Sequence, residues 1–79
     1  MAKVILDSWR EGLEKVSLTK LQVSMLGKSL TESKSNVDCL LDGKKIIIEI
    51  DSLDLAKKFL NNAEKIGVNC ELILDSSFS

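Results

Sequence analysis

One short segment restricts the fold of this chain more than any other, and it reads KIIIEI from position 45 to position 50. Ile46, Ile48 and Ile50 alternate there with lysine, isoleucine and glutamate. A two-residue period of this kind is typical of a β-strand that buries one face and exposes the other. The chain therefore contains a sheet, and the order of the other elements decides its topology.

The spacing of apolar residues predicts two further strands and three helices. In chain order, the predicted elements are a strand over 2–8, a turn over 9–14, helices over 16–26 and 30–41, a strand over 45–50, a helix over 53–66 and a strand over 68–74. The side chains expected to face the core are Val4 and Leu6; Leu18, Leu21, Met25 and Leu26; Leu30, Val37, Leu40 and Leu41; Leu55 or Ala56, Phe59, Leu60, Ala63 and Ile66; and Val68, Cys70, Leu72 and Leu74.

This β-α-α-β-α-β order predicts an α+β two-layer sandwich. The helical hairpin returns the chain to the end of the sheet where the first strand finished, so the second strand runs antiparallel to the first. One crossover helix then makes the third strand parallel to the second, and placing the first strand between them makes both pairs antiparallel. We expect a three-stranded sheet of order 2-1-3 with all three helices on one face, a single domain over residues 1–75 and a frayed tail over 76–79.

Composition favours a folded soluble protein and limits its partners. The 79 residues are 44% hydrophobic and 29% charged, and the net charge of −1 predicts no general attraction to nucleic acid or to anionic membrane. No run approaches the roughly 20 apolar residues that span a bilayer, and no signal peptide is expected. Cys39 and Cys70 lack metal-ligand spacing, which favours free thiols and a cytoplasmic location.

The residue inventory disfavours catalysis. The chain contains no histidine and no tyrosine, which removes the commonest general base, the commonest nitrogen ligand and a common phenolic acid. Asp51 and Asp54 bracket a predicted helix start, where capping and the helix dipole account for both. We therefore expect no enzyme activity, no metal and no cofactor.

The stretch Gly27-Lys28-Ser29 matches the end of a phosphate-binding P-loop but lacks its context. The first glycine of that motif would fall at Gln22, and the preceding residues are predicted to form a helix and not a strand. A better interpretation is a helix that stops at Gly27, followed by a capping box in which the side chains of Ser29 and Glu32 each accept from the other's backbone amide. Nucleotide binding is not expected.

This hairpin carries a family resemblance. The segment EKVSLTKLQVSMLGKSLTESKSNVD resembles the C-terminal domain of the bacterial ribosomal stalk protein, whose hairpin reads K-V-x-x-x-K, a glycine turn, then L-x-E-x-K. The matching residues are Lys15, Val16 and Lys20, then Gly27, Leu30, Glu32 and Lys34. The segment LDLAKKFLNNAEKIGVNCEL is similar to that domain's closing helix, glycine and strand, so the resemblance covers residues 2–74. The adaptor ClpS shares this fold, and KVIL near the start is similar to its first strand.

The resemblance implies a non-catalytic protein-binding domain. The stalk domain engages translation GTPases through its hairpin, which would make Lys15, Val16, Lys20 and Lys34 contact residues here. Thr19 stands at the family's next apolar contact position. Valine replaces its arginine at position 23, and the family's dimerising N-terminal domain and hinge have no counterpart, so an ordinary stalk protein is not expected. N-degron recognition of the ClpS kind is also not expected, because Asp7 stands alone and there is no histidine.

Residues 14–36 carry four lysines against two glutamates. These lysines are either an ordinary solvated face or a docking patch for an acidic surface, such as a translation- or ribosome-associated factor. Trp9 is either a lid over the core or a further contact anchor. The alternative function is a nucleic-acid-associated small protein that uses the same lysines; the net negative charge and the lack of aromatic stacking groups disfavour it.

The outer face of the predicted sheet suggests a second interaction. Ile5, Ile47 and Ile73 each lie between polar neighbours on the three strands, and we expect them to form one cross-strand row. A polar rim around apolar side chains is typical of interfaces. The row predicts weak self-association into a homodimer.

Overall fold

The computed structural model describes residues 2–74 and contains three strands and three helices. The elements are β1 (Ala2–Trp9), α1 (Lys15–Leu26), α2 (Leu30–Leu41), β2 (Ile46–Ile50), α3 (Leu53–Lys65) and β3 (Val68–Leu74). The sheet order is β2-β1-β3, and β1 pairs with both neighbours in the antiparallel direction. The predicted α+β fold and its topology are therefore confirmed, whereas the predicted tail over 76–79 lies outside the described residues.

The core lies between the sheet and the helices. Val4, Leu6 and Ile48 are almost fully buried on the inner face of the sheet, whereas Ile47 and Glu49 on the other face are exposed. The buried helical side chains that face this surface are Leu18, Val37, Leu40, Ala56, Phe59 and Ala63. The apolar strand faces, which repeat every two residues, and the apolar helix faces, which repeat every 3.6 residues, thus pack together in one layer of side chains.

Two side chains that we expected in the core are exposed. Leu30 is 55% exposed, although it lies on the same helical stripe as the buried Ser33 and Val37. It is the first residue of α2, where the stripe extends past the end of the core. Leu74 is 57% exposed at the end of β3, where it is the last residue that the structure describes.

The register of β3 corrects the predicted isoleucine row. Ile5 lies opposite Ile47 as expected, but on its other side it faces Glu71, and Ile73 faces Lys3. The alternation of a strand determines which residues share a face, but a slide of two residues leaves every side chain on its face. The prediction is therefore correct about the pairing of Ile5 with Ile47 and wrong about the position of Ile73.

The turn between α1 and α2 forms largely as predicted. Gly27 ends α1 in the left-handed conformation, with φ 66° and ψ 20°. Ser29 caps α2, because its hydroxyl accepts from the amide of Glu32 at 3.1 Å. The reciprocal half of the capping box is wrong, since the Glu32 carboxylate instead pairs with Lys28 Nζ at 3.2 Å.

Loss of this cap should weaken the hairpin. Ser29→Ala removes the acceptor for the Glu32 amide and should reduce the free energy of unfolding by about 0.5–2 kcal/mol in urea titrations. Ser35→Ala, an exposed serine on the same helix, is the matched control and should cost nothing. Equal stability of the two variants would mean that the Ser29 hydroxyl contributes nothing as a cap.

Candidate docking groove on the helical hairpin

A groove of about 180 Å³ runs between α1 and α2 and contains most of the predicted contact residues. Its lining residues are Lys15, Val16, Thr19, Lys34, Val37 and Asp38. Four of the six side chains singled out by the sequence therefore lie around one depression. α1 brings three of them to the groove from its first two turns, and α2 brings the fourth from the facing side.

The groove presents an apolar residue with charges beside it. Val16 is 67% exposed at the rim of the groove, whereas Val37, which also lines it, is only 4% exposed. Thr19 is nearly buried, and its hydroxyl donates to the Lys15 carbonyl at 3.1 Å. Because that hydroxyl is already hydrogen-bonded within α1, Thr19 can take an apolar position at the groove without needing a polar partner.

Sequence reasoning missed one charged member of the groove. Asp38 lies four residues after Lys34 on α2, and both line the depression. Asp38 lies two residues beyond the lysine-rich segment over 14–36. Its spacing from Lys34 indicates its position, because residues four apart on a helix share a face. The groove therefore carries two lysines and one carboxylate, which is less positive than the hairpin lysines alone suggest.

The remaining two predicted residues lie elsewhere. Lys20 lines a larger groove of about 360 Å³ between α1 and α3, together with Leu21, Lys65 and Ile66. Trp9 is the last residue of β1, pairs with Val68 and is 43% exposed. The six residues consequently do not line one groove.

Trp9 lies at the end of β1, opposite the buried Val68, and more than half of its surface is covered, so both the lid and the contact-anchor interpretations stay open. The register of β1 against β3 shifts between Leu6 and Ser8, and the strand continues two residues beyond the regular alternation. Leu6 is buried, Ser8 half-buried and Trp9 exposed. The bulge places Trp9 opposite the buried Val68, and its 43% exposure reflects its position at the end of β1.

A buried amide holds the two walls of the groove together. Gln22 is fully buried, and its Nε2 donates to the carbonyls of Leu18 and Ser33, each at 3.3 Å. Its Oε1 accepts from Asn36 Nδ2 at 2.8 Å. The side chain of Gln22 thus links α1 to α2. In the sequence, Gln22 stands out only because it occupies the position where a P-loop would have its first glycine.

The Gly27-Lys28-Ser29 turn uses its polar groups locally. The amides of Gly27 and Lys28 both donate to the Gln22 carbonyl, and the Lys28 amine pairs with Glu32. The segment before the turn is helix α1 and not a strand. A P-loop follows a strand and directs free amides at phosphate, so this geometry differs from it at both points.

Cys70 lies in a different environment, on the half-buried inner side of β3. Burial, together with the nearby Glu64 carboxylate, raises the pKa of its thiol to about 11, and Arg10 opposes the shift. The Sγ atom lies 3.6 Å from the Leu60 carbonyl. Cys70 therefore has the character of a core thiol and not of a nucleophile.

The thiol shift predicts slow modification of the folded chain. At pH 8 the thiolate fraction of Cys70 should be about a hundredfold lower than that of an unshifted thiol, so iodoacetamide should label it slowly until urea unfolds the chain. Peptide mass spectrometry measures the labelling, and equal rates with and without urea would contradict the burial of Cys70.

The raised pKa of Cys70 also predicts a loss of stability at high pH. Between pH 9.0 and 11 the unfolded chain releases the thiol proton before the folded chain does, so the free energy of unfolding should fall as pH rises.

Among residues 2–74, no helix has both the length and the apolar character needed to cross a membrane. Within the same range, no three histidine, cysteine, aspartate or glutamate side chains lie close enough to hold a metal ion.

Comparison with known proteins does not assign the chain to a family. No protein-family model matches it, and its sequence matches none of the curated proteins.

Proposed function

We propose that this chain is a small non-catalytic protein-binding module, similar in mode of action to the ribosomal stalk C-terminal domain, and that it docks a protein partner in the α1–α2 groove. The observation that carries the proposal is the exposure of Val16, which is 67% accessible at the rim of a groove shared with Lys15 and Lys34. An apolar contact with a charged rim is the usual composition of a protein interface.

The dimensions of the groove support a macromolecular partner. Its volume of about 180 Å³ is smaller than the roughly 300–1,000 Å³ of typical small-molecule sites. It can accept one or two side chains from a partner, while the surrounding surface contributes the remaining contact area. The rest of the binding energy would then come from residues around the rim.

The charges indicate the kind of partner. Lys15 and Lys34 outnumber Asp38 at the groove, so a partner with acidic residues around an apolar anchor fits best. Such charges mainly increase the association rate and select against basic surfaces. The resemblance to the stalk domain makes translation GTPases and other ribosome-associated factors the first partners to test.

A pair of matched double variants tests the groove. Lys15→Glu with Lys34→Glu should weaken capture of the partner at least about tenfold, because both rim charges become repulsive toward an acidic surface. Lys57→Glu with Lys58→Glu makes the same charge change on exposed positions of α3 and should leave capture unchanged. Binding to purified translation GTPases and to proteins identified from native lysate gives the readout, with circular dichroism to confirm folding.

Further variants define the extent of the surface. Val16→Ser should weaken binding without any change in charge, because it removes the apolar contact. Lys20→Glu should have an effect only if the interface extends onto the α1–α3 groove. Equal capture by both double variants would exclude the α1–α2 groove, and binding to RNA that falls steeply with salt would favour the nucleic-acid alternative.

A further inference from the structure

The sheet leaves the outer side of β2 open. In the order β2-β1-β3, β2 pairs with β1 on one side, and no strand of the described residues pairs with its other side. Its five residues contain no proline, and Ile47 is 63% exposed. An edge of this kind presents unpaired backbone amides and carbonyls to any further strand.

The sequence of this edge is complementary to itself. When a second β2 runs antiparallel about a two-fold axis through Ile47, Lys45 of each copy lies opposite Glu49 of the other, and the two Ile47 side chains face each other. On the inner face, Ile46 lies opposite Ile48. Opposite charges and apolar pairs at facing positions both stabilise antiparallel strands.

An alternative register is less favourable. With the axis through Ile48, Ile47 faces Glu49, so the outward apolar pair is lost. Lys45 then faces Asp51. Lys45 precedes β2 and Asp51 follows it, so neither partner of this charge pair belongs to the strand, whereas Glu49 does in the first register. The axis through Ile47 therefore gives the best match along this edge.

The other edge of the sheet does not have this property. β3 has Glu71 at its centre, and antiparallel self-pairing about that residue would place two carboxylates directly opposite each other. Like charges at facing positions destabilise a strand pair. The facing charges are therefore complementary at β2 and repulsive in the central register of β3.

We propose that two copies of this chain associate through their β2 edges and form one continuous six-stranded antiparallel sheet. The surface is independent of the α1–α2 groove residues, so this inference does not rest on the proposed function. Lys45 already lies 3.4 Å from Asp7 in the same chain, with both side chains largely exposed. In the dimer Lys45 lies between Asp7 of its own chain and Glu49 of the other, so the second carboxylate adds to an existing contact.

Charge exchange tests both the edge and its register. Glu49→Lys places lysines opposite each other, and Lys45→Glu places glutamates opposite each other; each should weaken self-association about tenfold or more in sedimentation equilibrium. Mixing the two variants should restore association, because every lysine at position 45 or 49 of one chain then faces a glutamate of the other. Glu71→Lys, on β3, makes the same charge change and should leave association unchanged.

Three results would overturn the proposal. A wild-type chain that remains monomeric at millimolar concentration excludes edge pairing. Variants that fail to recover on mixing, while each remains folded by circular dichroism, exclude the facing of Lys45 and Glu49. A response to Glu71→Lys as large as that to Glu49→Lys would place the dimer contact on the outer face of the sheet, where the side chains of Ile5, Ile47 and Ile73 were expected to form it.

Discussion

Gly67→Ala should reduce the free energy of unfolding by about 2–4 kcal/mol, because the substitution combines backbone strain with a collision. Gly67 has φ +106°, a conformation that residues with a Cβ rarely adopt. An added Cβ would lie 3.0 Å from Leu13 Cα and 3.3 Å from Leu13 N. Both of these atoms belong to the backbone, so no side-chain rotation relieves the contact.

The collision matters because two connections meet at this point. The amide of Arg10 donates to the Gly67 carbonyl at 2.7 Å, and the amide of Glu14 donates to the Ile66 carbonyl at 3.0 Å. The loop between β1 and α1 is thereby fastened to the turn between α3 and β3. Moving Leu13 away from an added methyl group would stretch both hydrogen bonds. It would also displace the start of α1, where Lys15 and Val16 contribute to the groove.

Gly43→Ala is the matched control. Gly43 has a similar φ of +89°, but an added Cβ there meets no atom within 4 Å. It should therefore cost only the conformational strain, about 1–2 kcal/mol. Urea titrations of the two variants separate strain from collision. Equal losses would mean that the loop at Leu13 adapts freely to the added methyl group.

The elements of the fold could be predicted because their signals are local and redundant. The alternating isoleucines of β2, the helical stripe of α3 around Phe59 and the glycine stops at 27, 43 and 67 are each short-range patterns. Topology followed from them, since a short helical hairpin and one crossover helix leave few ways to order three strands. The observed order β2-β1-β3 is the one expected.

The details that could not be predicted depend on long-range contacts. Two-residue slides of a strand leave its faces intact, so the pairing of Ile73 with Lys3 had no local signal. The bulge before Trp9, which places it opposite Val68, depends likewise on how β1 meets β3. Four of the proposed contact residues follow from the resemblance of the hairpin to the stalk domain, whereas Asp38 is indicated only by the helix face that it shares with Lys34.

Buried polar residues were the other difficulty. Gln22 and Ser33 both lie in the seam between α1 and α2, where a helical stripe predicts apolar side chains. Whether a buried polar group stabilises or destabilises depends on its hydrogen-bond partners, which only the structure provides. The two residues differ in that respect: Gln22 makes three hydrogen bonds, whereas the Ser33 hydroxyl is buried without a partner among the described residues.

This contrast leads to opposite predictions for two substitutions in one seam. Gln22→Ala should reduce the free energy of unfolding by roughly 2–4 kcal/mol, because it leaves a cavity and deprives Asn36 Nδ2 of its acceptor. A domain of this size is stable by only about 5–15 kcal/mol, so the loss is large. Ser33→Ala removes a hydroxyl that lacks a partner within residues 2–74 and should be neutral or stabilising by up to about 1 kcal/mol.

The same two variants test whether binding in the groove depends on the hydrogen bonds of Gln22 between α1 and α2. Gln22 does not line the groove, but it joins α1 to the Ser33 carbonyl of α2 and so sets the distance between the two walls. At a temperature where Gln22→Ala is still folded, the variant should bind the partner more weakly than wild type, whereas Ser33→Ala should bind normally. Thermal melts establish the temperature, and capture below it gives the comparison. Full binding by folded Gln22→Ala would show that the groove does not depend on this amide, and that the hairpin walls are held by the apolar core alone.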